Sequence, residues 1–515
     1  MNFIAQESLQ KLRGGYYTPK DLAGFLLRWM QELRPARVLE PSCGDGVFLH
    51  GNSAITAFEL DPVEAAKAAQ TNPRAEVRNE DFLAWALPQM GPEGVRFDAV
   101  VGNPPFIRYQ YLPADFQTRA EQVFRTLHLP FTKHTNAWVP FIMASMALLR
   151  PGGRLAMVVP AEILHVTHAQ SLRNYLAAHA RRIVIVDPEE LWFEGTLQGA
   201  VLLLIEKGEP GEGLAIYPVK DREFLGLPPS DIFQTPASTA PLQGKWTQAL
   251  LSAPTRSLLQ TLESHPKVHR FHDIAQVDVG IVTGANKFFL VPDETVEAYK
   301  LQEWAHPMFG RSEHCPGIVY DAAQHAANAA AGLPTNFLWF QTRPPKAYLA
   351  LGESQQLPAR YKCRIRKPWY TVPSVYATEI GMLKRSHDTP RLILNRLGAY
   401  TTDTAYRIRS KATPAESLVA GFLNPLTALS AELEGRHYGG GVLELIPSEI
   451  ERLLIPLTKA PAIDKLDQTV RTVPVQEILA AQSKTILTPL GLSATEQTRL
   501  LEAWRALRNR RHRVS

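Results

Sequence analysis

Four short stretches of this 515-residue chain carry residue types suited to gripping a nucleoside-like ligand. In Glu40-Pro41-Ser42-Cys43-Gly44-Asp45-Gly46, the two glycines let the backbone pass close to a ligand at a tight turn. Glu59 offers two oxygens that can accept both hydrogens of a ribose diol. Asp81 can accept from an exocyclic adenine amine while a nearby backbone N–H donates to a ring nitrogen. Asn103-Pro104-Pro105-Phe106 holds two consecutive prolines, which cannot continue a sheet, so the strand before them must stop in a stiff loop. Each signal is weak alone. A glycine turn with an acid about 20 residues on also describes a dinucleotide site, although this turn lacks the third glycine of that fingerprint.

The elements that would position these residues alternate strand with helix, as in an open and mostly parallel α/β sheet. Strands are expected at 37–40, 54–58, 75–78, 97–102 and 154–159, with helices after Pro62 and over 136–149 and 169–178. Ile183–Val186 and Ala200–Ile205 are expected to pair as a terminal hairpin. In such a sheet, ligands bind at the carboxyl ends of the strands, where the four marked stretches fall. Gly208–Gly244 reads as a Pro- and Gly-rich linker closing a first domain over residues 1–244. Residues 245–515 lose the regular alternation and read as a second, mixed α+β domain that turns helical over 494–507. The basic tail Arg508–Arg513 is expected to add charge or to be disordered.

Composition narrows the function classes. Hydrophobic residues make up 45 % and charged residues 20 %, an ordinary globular balance. There is no uninterrupted apolar run of about 18 residues and no signal-like N-terminus, so neither a membrane protein nor a secreted one is expected. The three cysteines, Cys43, Cys315 and Cys363, form no CxxC pair, which argues against a disulfide framework or cysteine-rich zinc site and fits a cytoplasmic protein. No metal cluster is expected. The net charge of +5 is unevenly shared: from Lys245 onward, 33 Lys and Arg stand against 24 Asp and Glu. A basic second half joined to an acidic first half suggests that the second half meets a polyanion.

Tyr16-Tyr17-Thr18-Pro19, Val38 to Gly46, Glu59-Leu60-Asp61-Pro62, Asp81-Phe82 and Gly102 to Phe106 occur in the order found in gamma-class DNA amino-methyltransferases. Over residues 13–207 the chain resembles the TaqI-type N6-adenine methyltransferase family. The resemblance implies a class I, Rossmann-like domain that binds S-adenosylmethionine, followed by a large target-recognition domain. It places Tyr17, Thr18, Glu40, Pro41, Ser42, Cys43, Gly44, Gly46, Glu59, Asp81, Phe82, Pro105 and Phe141 around the cofactor. Thr18 would lie at its methionine carboxylate, Glu59 at the ribose and Asp81 with Phe82 at the adenine.

An exocyclic amino nitrogen is a poor nucleophile because its lone pair is delocalised into the ring. The Asn103 side-chain oxygen and the Pro104 carbonyl would hold its two hydrogens and localise that lone pair, a preset electrostatic arrangement. The base must leave the duplex to be reached, and Phe106 and Phe193 are the expected stacking partners. Asn103 favours adenine; cytosine N4 is the alternative, and an rRNA or protein-glutamine methyltransferase or a catalytically dead DNA-specificity subunit are further ones. In the second half, Lys287 and the stretch holding Lys362, Arg364, Arg366, Lys367 and Trp369 are expected at double-stranded DNA. The expected protein is a monomer, cytoplasmic and nucleoid-associated, with a separate cognate restriction endonuclease as an optional partner.

Overall fold

In the computed structural model, residues 17–193, 199–411 and 413–513 are described. The chain divides into two units: one built chiefly from the residues up to Arg256, the other from Ser257–His437 and Gly441–Arg511. The expected first domain ended at 244, twelve residues earlier.

The first unit realises the alternating pattern. Helix α1 spans Lys20–Gln31, followed by β1 (Arg37–Glu40), β2 (Ala54–Phe58), α2 (Pro62–Thr71), β3 (Glu76–Arg78), α3 (Phe82–Gln89) and β4 (Phe97–Gly102). Then come α4 (Ala114–Thr126), α5 (Trp138–Leu148), β5 (Leu149–Pro160), α6 (Gln170–His179), β6 (Ala180–Pro188), β7 (Ala200–Lys207) and β8 (Gly213–Val219). Local chemistry sets the helix starts. Asp61 caps α2 by accepting from the N–H groups of Val63 (2.9 Å) and Glu64 (3.3 Å), with Pro62 preorganising the first turn.

Among the described residues the strands form one sheet in the order β3-β2-β1-β4-β5-β7-β6-β8. β1 pairs parallel with β2 and β4, and β4 pairs parallel with β5. β7 alone runs antiparallel, inserted between β5 and β6. The expected hairpin is therefore present, but β8 rather than the hairpin forms the sheet edge, paired parallel with β6. This corrects the reading of 208–244 as a linker. Leu214 and Ala215 of β8 are buried, and Ile232 and Phe233 downstream are buried with them. Pro and Gly density reported turns here, not a free tether.

Alternate residues of the central strands feed two cores. Leu39, Val100, Leu155 and Met157 face the cluster built on α3–α6, whereas Val38, Ala99, Val101 and Ala156 face the cluster built on α1, with Ala68 of α2. Both faces of the sheet are thus covered, as a parallel sheet requires.

The second unit holds a five-stranded sheet ordered 275–279, 405–410, 380–383, 392–395 and 319–320. Phe271, Ile380, Leu392, Ile408, Leu418 and Phe422 belong to its core. Of the two expectations for the basic tail, disorder is ruled out: the helix Ala494–His512 runs through it. Arg508 pairs with Asp388, and Arg511 pairs with Glu432 at 2.8 Å, both side chains fully buried. Removing one partner of such a pair strands the other charge, at a cost of about 3–5 kcal/mol. Glu432→Ala should therefore lower the unfolding free energy of the second unit by roughly that amount. Urea denaturation measures it, and a loss below about 1 kcal/mol would contradict the assignment.

Candidate active site

The four marked stretches converge at the carboxyl ends of β1, β2 and β4 and just beyond β3. After β1 the chain turns through Gly44 and Gly46 with φ of 52° and 91°, left-handed values that favour glycine. The Gly44 N–H then donates to Glu59 Oε2 at 2.9 Å, and the Asp61 N–H donates to Glu59 Oε1 at 2.8 Å. Two amides thus clamp the Glu59 carboxylate at the end of β2, leaving lone pairs on both oxygens for a further donor.

Glu40 lies deeper. It is fully buried, neither of its oxygens makes a protein hydrogen bond of good geometry, and burial pushes its pKa well up. The Glu59 charge acts in the same direction. A Cβ added at Gly102 would stand 2.5 Å from Glu40 Oε1, so glycine is needed where β4 passes the carboxyl. Pro41 and Cys43 are buried beside it, and Tyr17 reaches within 4.0 Å of the position a Gly44 Cβ would take.

At the end of β4, three contacts join the proline loop to its neighbours. Ser42 Oγ donates to the Asn103 carbonyl at 3.1 Å, and Asn103 Nδ2 donates to Thr18 Oγ1 at 3.1 Å. Beyond the loop, the Ala137 N–H donates to the Ile107 carbonyl at 2.9 Å. The Thr18 contact was not legible in the sequence, where 85 residues separate the partners. It matters because an asparagine amide has a donor end and an acceptor end. Securing Nδ2 on a buried hydroxyl turns Oδ1 to the other side. Pro104 is buried, whereas Pro105 and Phe106 are half-buried.

The site's apolar wall is made by Phe82 and Phe141, whose ring centroids lie 5.3 Å apart. Asp81 caps α3 through a 2.8 Å bond from the Ala84 N–H. Its other oxygen accepts from Arg119 Nη1 at 3.1 Å, a partner that no motif announced. Phe193 is 8 % exposed and sits in the apolar cluster against which Phe106 also packs. It is a core residue here, not a ring presented for stacking, and Trp192 beside it is buried too. Among the described residues no group of three or more His, Cys, Asp or Glu is placed to hold a metal ion.

In the second unit the segment before Lys287 meets the basic stretch around Lys362. The turn at Gly284 packs against Lys362 and Cys363, and Arg366 donates to the Thr283 carbonyl (2.6 Å) and the Val282 carbonyl (2.7 Å). Lys287, Lys362, Arg364 and Lys367 are exposed around this junction, with Tyr361 64 % exposed among them. Two expectations are corrected. The Arg366 guanidinium is spent on backbone carbonyls, and Trp369 packs against Phe288 at 5.2 Å in an apolar cluster. Both are half-buried and brace the surface from within. A basic–aromatic run looks the same in sequence whichever side faces inward.

Stretches of both units match known protein families. Residues 50–193 match the model of the Eco57I restriction-modification methylase, and residues 243–487 match the C-terminal domain of Type II methyltransferase M.Eco57I. The Type II methyltransferase M.XamI of Xanthomonas campestris pv. amaranthicola is 24 % identical over 468 residues, covering 86 % of this chain and 85 % of that relative. M.TthHB8I of Thermus thermophilus is 32 % identical over 214 residues, 40 % of this chain and 47 % of that protein. Among solved structures, the Type IIL restriction-modification enzyme MmeI in complex with DNA aligns over 95 % of this chain and 71 % of its own, at 12 % identity and a TM-score of 0.50.

The fold is that of a class I S-adenosylmethionine-dependent methyltransferase, and S-adenosylmethionine is the cofactor it implies. The curated relatives are Type II DNA methyltransferases, and the matches support a restriction–modification DNA methyltransferase. Among the described residues no helix is long and apolar enough to cross a membrane.

The residues present fit the cofactor. A buried carboxyl without a well-formed hydrogen bond, at Glu40, suits an ammonium group, and the clamped Glu59 suits a diol. The Thr18 hydroxyl accepts from Asn103 and can donate its own O–H to a carboxylate. Thr18→Val removes the acceptor for Nδ2 while keeping the shape. Losing one hydrogen bond of about 1 kcal/mol predicts a roughly fivefold to tenfold fall in single-turnover methyl transfer, with Thr18→Ser close to wild type. Equal rates for the valine and serine variants would contradict the role.

Proposed function

We propose that the protein methylates the N6 amino group of an adenine flipped out of duplex DNA, with S-adenosylmethionine as donor. The observation that carries this reading is the fixed Asn103 amide, tied to Thr18 beside a half-buried proline loop at the carboxyl end of β4. Bound, the cofactor supplies a methyl group on a sulfonium with a neutral thioether as leaving group. Asn103 Oδ1 and the Pro104 carbonyl accept the two hydrogens of the base's amine and draw its lone pair out of the ring. The prolines keep these acceptors from rearranging, so little reorganisation accompanies the reaction. Phe106, half-buried at the loop's end, offers the stacking face.

Glu40, Glu59, Asp81, Phe82 and Phe141 hold the cofactor in this reading, with Tyr17 and the turn from Pro41 to Gly46 around it. Residues 1–244 carry the chemistry and 245–515 the recognition of the target sequence. The chain acts as a TaqI-type gamma-class enzyme on double-stranded DNA, as a monomer, in a restriction–modification setting with a separate endonuclease. Lys287, Lys362, Arg364 and Lys367 neutralise phosphates. Lys362→Ala should reduce the slope of log K against log salt by about 0.9, the effect of one phosphate contact. Fluorescence anisotropy on duplex DNA measures it, and an unchanged slope would remove Lys362 from the interface.

Asn103→Ala should reduce transfer by at least the roughly 10²–10³-fold seen when one preorganised polar group is deleted, while binding of S-adenosylhomocysteine persists. Nucleoside chromatography of DNA treated with the wild type reads the product. N6-methyladenine is expected, whereas N4-methylcytosine would move the reading to the cytosine enzymes.

A further inference from the structure

The Arg119 side chain lies outside every motif, yet it is fixed at the cofactor site. Its Nη1 pairs with Asp81 Oδ2 at 3.1 Å and its Nη2 with Asp115 Oδ2 at 2.9 Å, so one guanidinium bridges two carboxylates. The pair is sheltered, with 27 % of the Arg119 and 18 % of the Asp81 side chain exposed. Asp81 Oδ1 is held independently by the Ala84 N–H at 2.8 Å. One donor on each oxygen leaves a lone pair on each, while the carboxylate plane can no longer rotate.

The same helix contributes a second residue. Phe116, one turn before Arg119 on α4, lies against Phe141 with ring centroids 6.2 Å apart and planes inclined by 17°. Phe141 in turn meets Phe82. Thus α4 touches both halves of the proposed adenine pocket, its polar acceptor and its apolar wall.

The helix is also tied to the catalytic loop. Gln117 Nε2 donates to the Leu112 carbonyl at 2.9 Å and the Tyr109 carbonyl at 3.3 Å. Asn136 Oδ1 accepts from the Tyr109 N–H at 3.3 Å. Tyr109 stands three residues past Phe106, so the segment leaving the proline loop and the helix that grips Asp81 share one hydrogen-bonded unit.

We propose that Arg119 is a positioning residue of the cofactor site, orienting Asp81 so that its carboxylate accepts from the 6-amino group of the cofactor's adenine. Phe116 supports the ring wall from the same helix. The inference rests on the reading of Asp81, Phe82 and Phe141 as the adenine pocket. It adds a chemical selectivity: the pocket should reject a purine that carries an oxygen at position 6, because two acceptors would then face each other.

The test compares dissociation constants, by calorimetry on the full-length protein, for S-adenosyl-L-homocysteine and S-inosyl-L-homocysteine. The wild type should bind the adenosyl compound at least about tenfold more tightly, a difference of about 1.4 kcal/mol. Arg119→Ala should compress that ratio to about threefold or less, and Arg119→Lys should recover part of it. A thermal unfolding midpoint near the wild-type value verifies that the variants are folded. Arg119→Met, which keeps the stem, serves if the alanine variant is not folded. A full wild-type ratio in a folded Arg119→Ala or Arg119→Met protein would overturn the role of Arg119 and leave the pocket reading intact. A wild-type ratio near one would instead overturn the adenine pocket, and the inference with it.

Discussion

One hydrogen bond, from Asn103 Nδ2 to Thr18 Oγ1, orients the amide on which the proposed chemistry rests. An amide that is free to flip presents donor and acceptor in turn, and half of its orientations would repel an incoming amine. Anchoring the NH₂ end leaves the oxygen in one direction. Everything else at the carboxyl end of β4 supports that choice. Gly102 lets the strand pass the Glu40 carboxyl, Ser42 holds the Asn103 carbonyl, and the prolines stop the sheet where the acceptors are needed.

The sheet makes this economical. Parallel strands β1, β2 and β4 end side by side, so residues far apart in sequence arrive at one edge without long loops. The acids there have distinct surroundings: Glu40 is buried without a well-formed hydrogen bond, Glu59 is clamped by two amides, and Asp81 is shared by a helix cap and an arginine. Three carboxylates in three environments can grip three different parts of one ligand. Their placement, more than their number, distinguishes the site from a solvated acidic rim.

Much of this was legible in the sequence because the informative residues obey local rules. Prolines stop strands, glycines mark left-handed turns, and apolar runs alternate with helical spacing, so β1 to β7 and the position of each motif followed directly. The failures have a common physical cause. β8 was hidden because Gly208, Pro210 and Gly211 announce a turn without saying that the next segment re-enters the sheet. Arg366, Trp369 and Arg511 were misjudged because a side chain's type does not reveal which way it faces. All three turned inward, to carbonyls, to Phe288 and to Glu432. Thr18 and Arg119 act on residues 85 and 38 positions away, separations that only the folded chain closes.

The most direct measurement is a crystal structure of the protein with S-adenosylhomocysteine and a duplex carrying its target sequence. The account predicts one adenine outside the helix, with its amino nitrogen about 2.6–3.2 Å from both Asn103 Oδ1 and the Pro104 carbonyl. A target base still stacked in the duplex, or held with its amine away from those two oxygens, would contradict it.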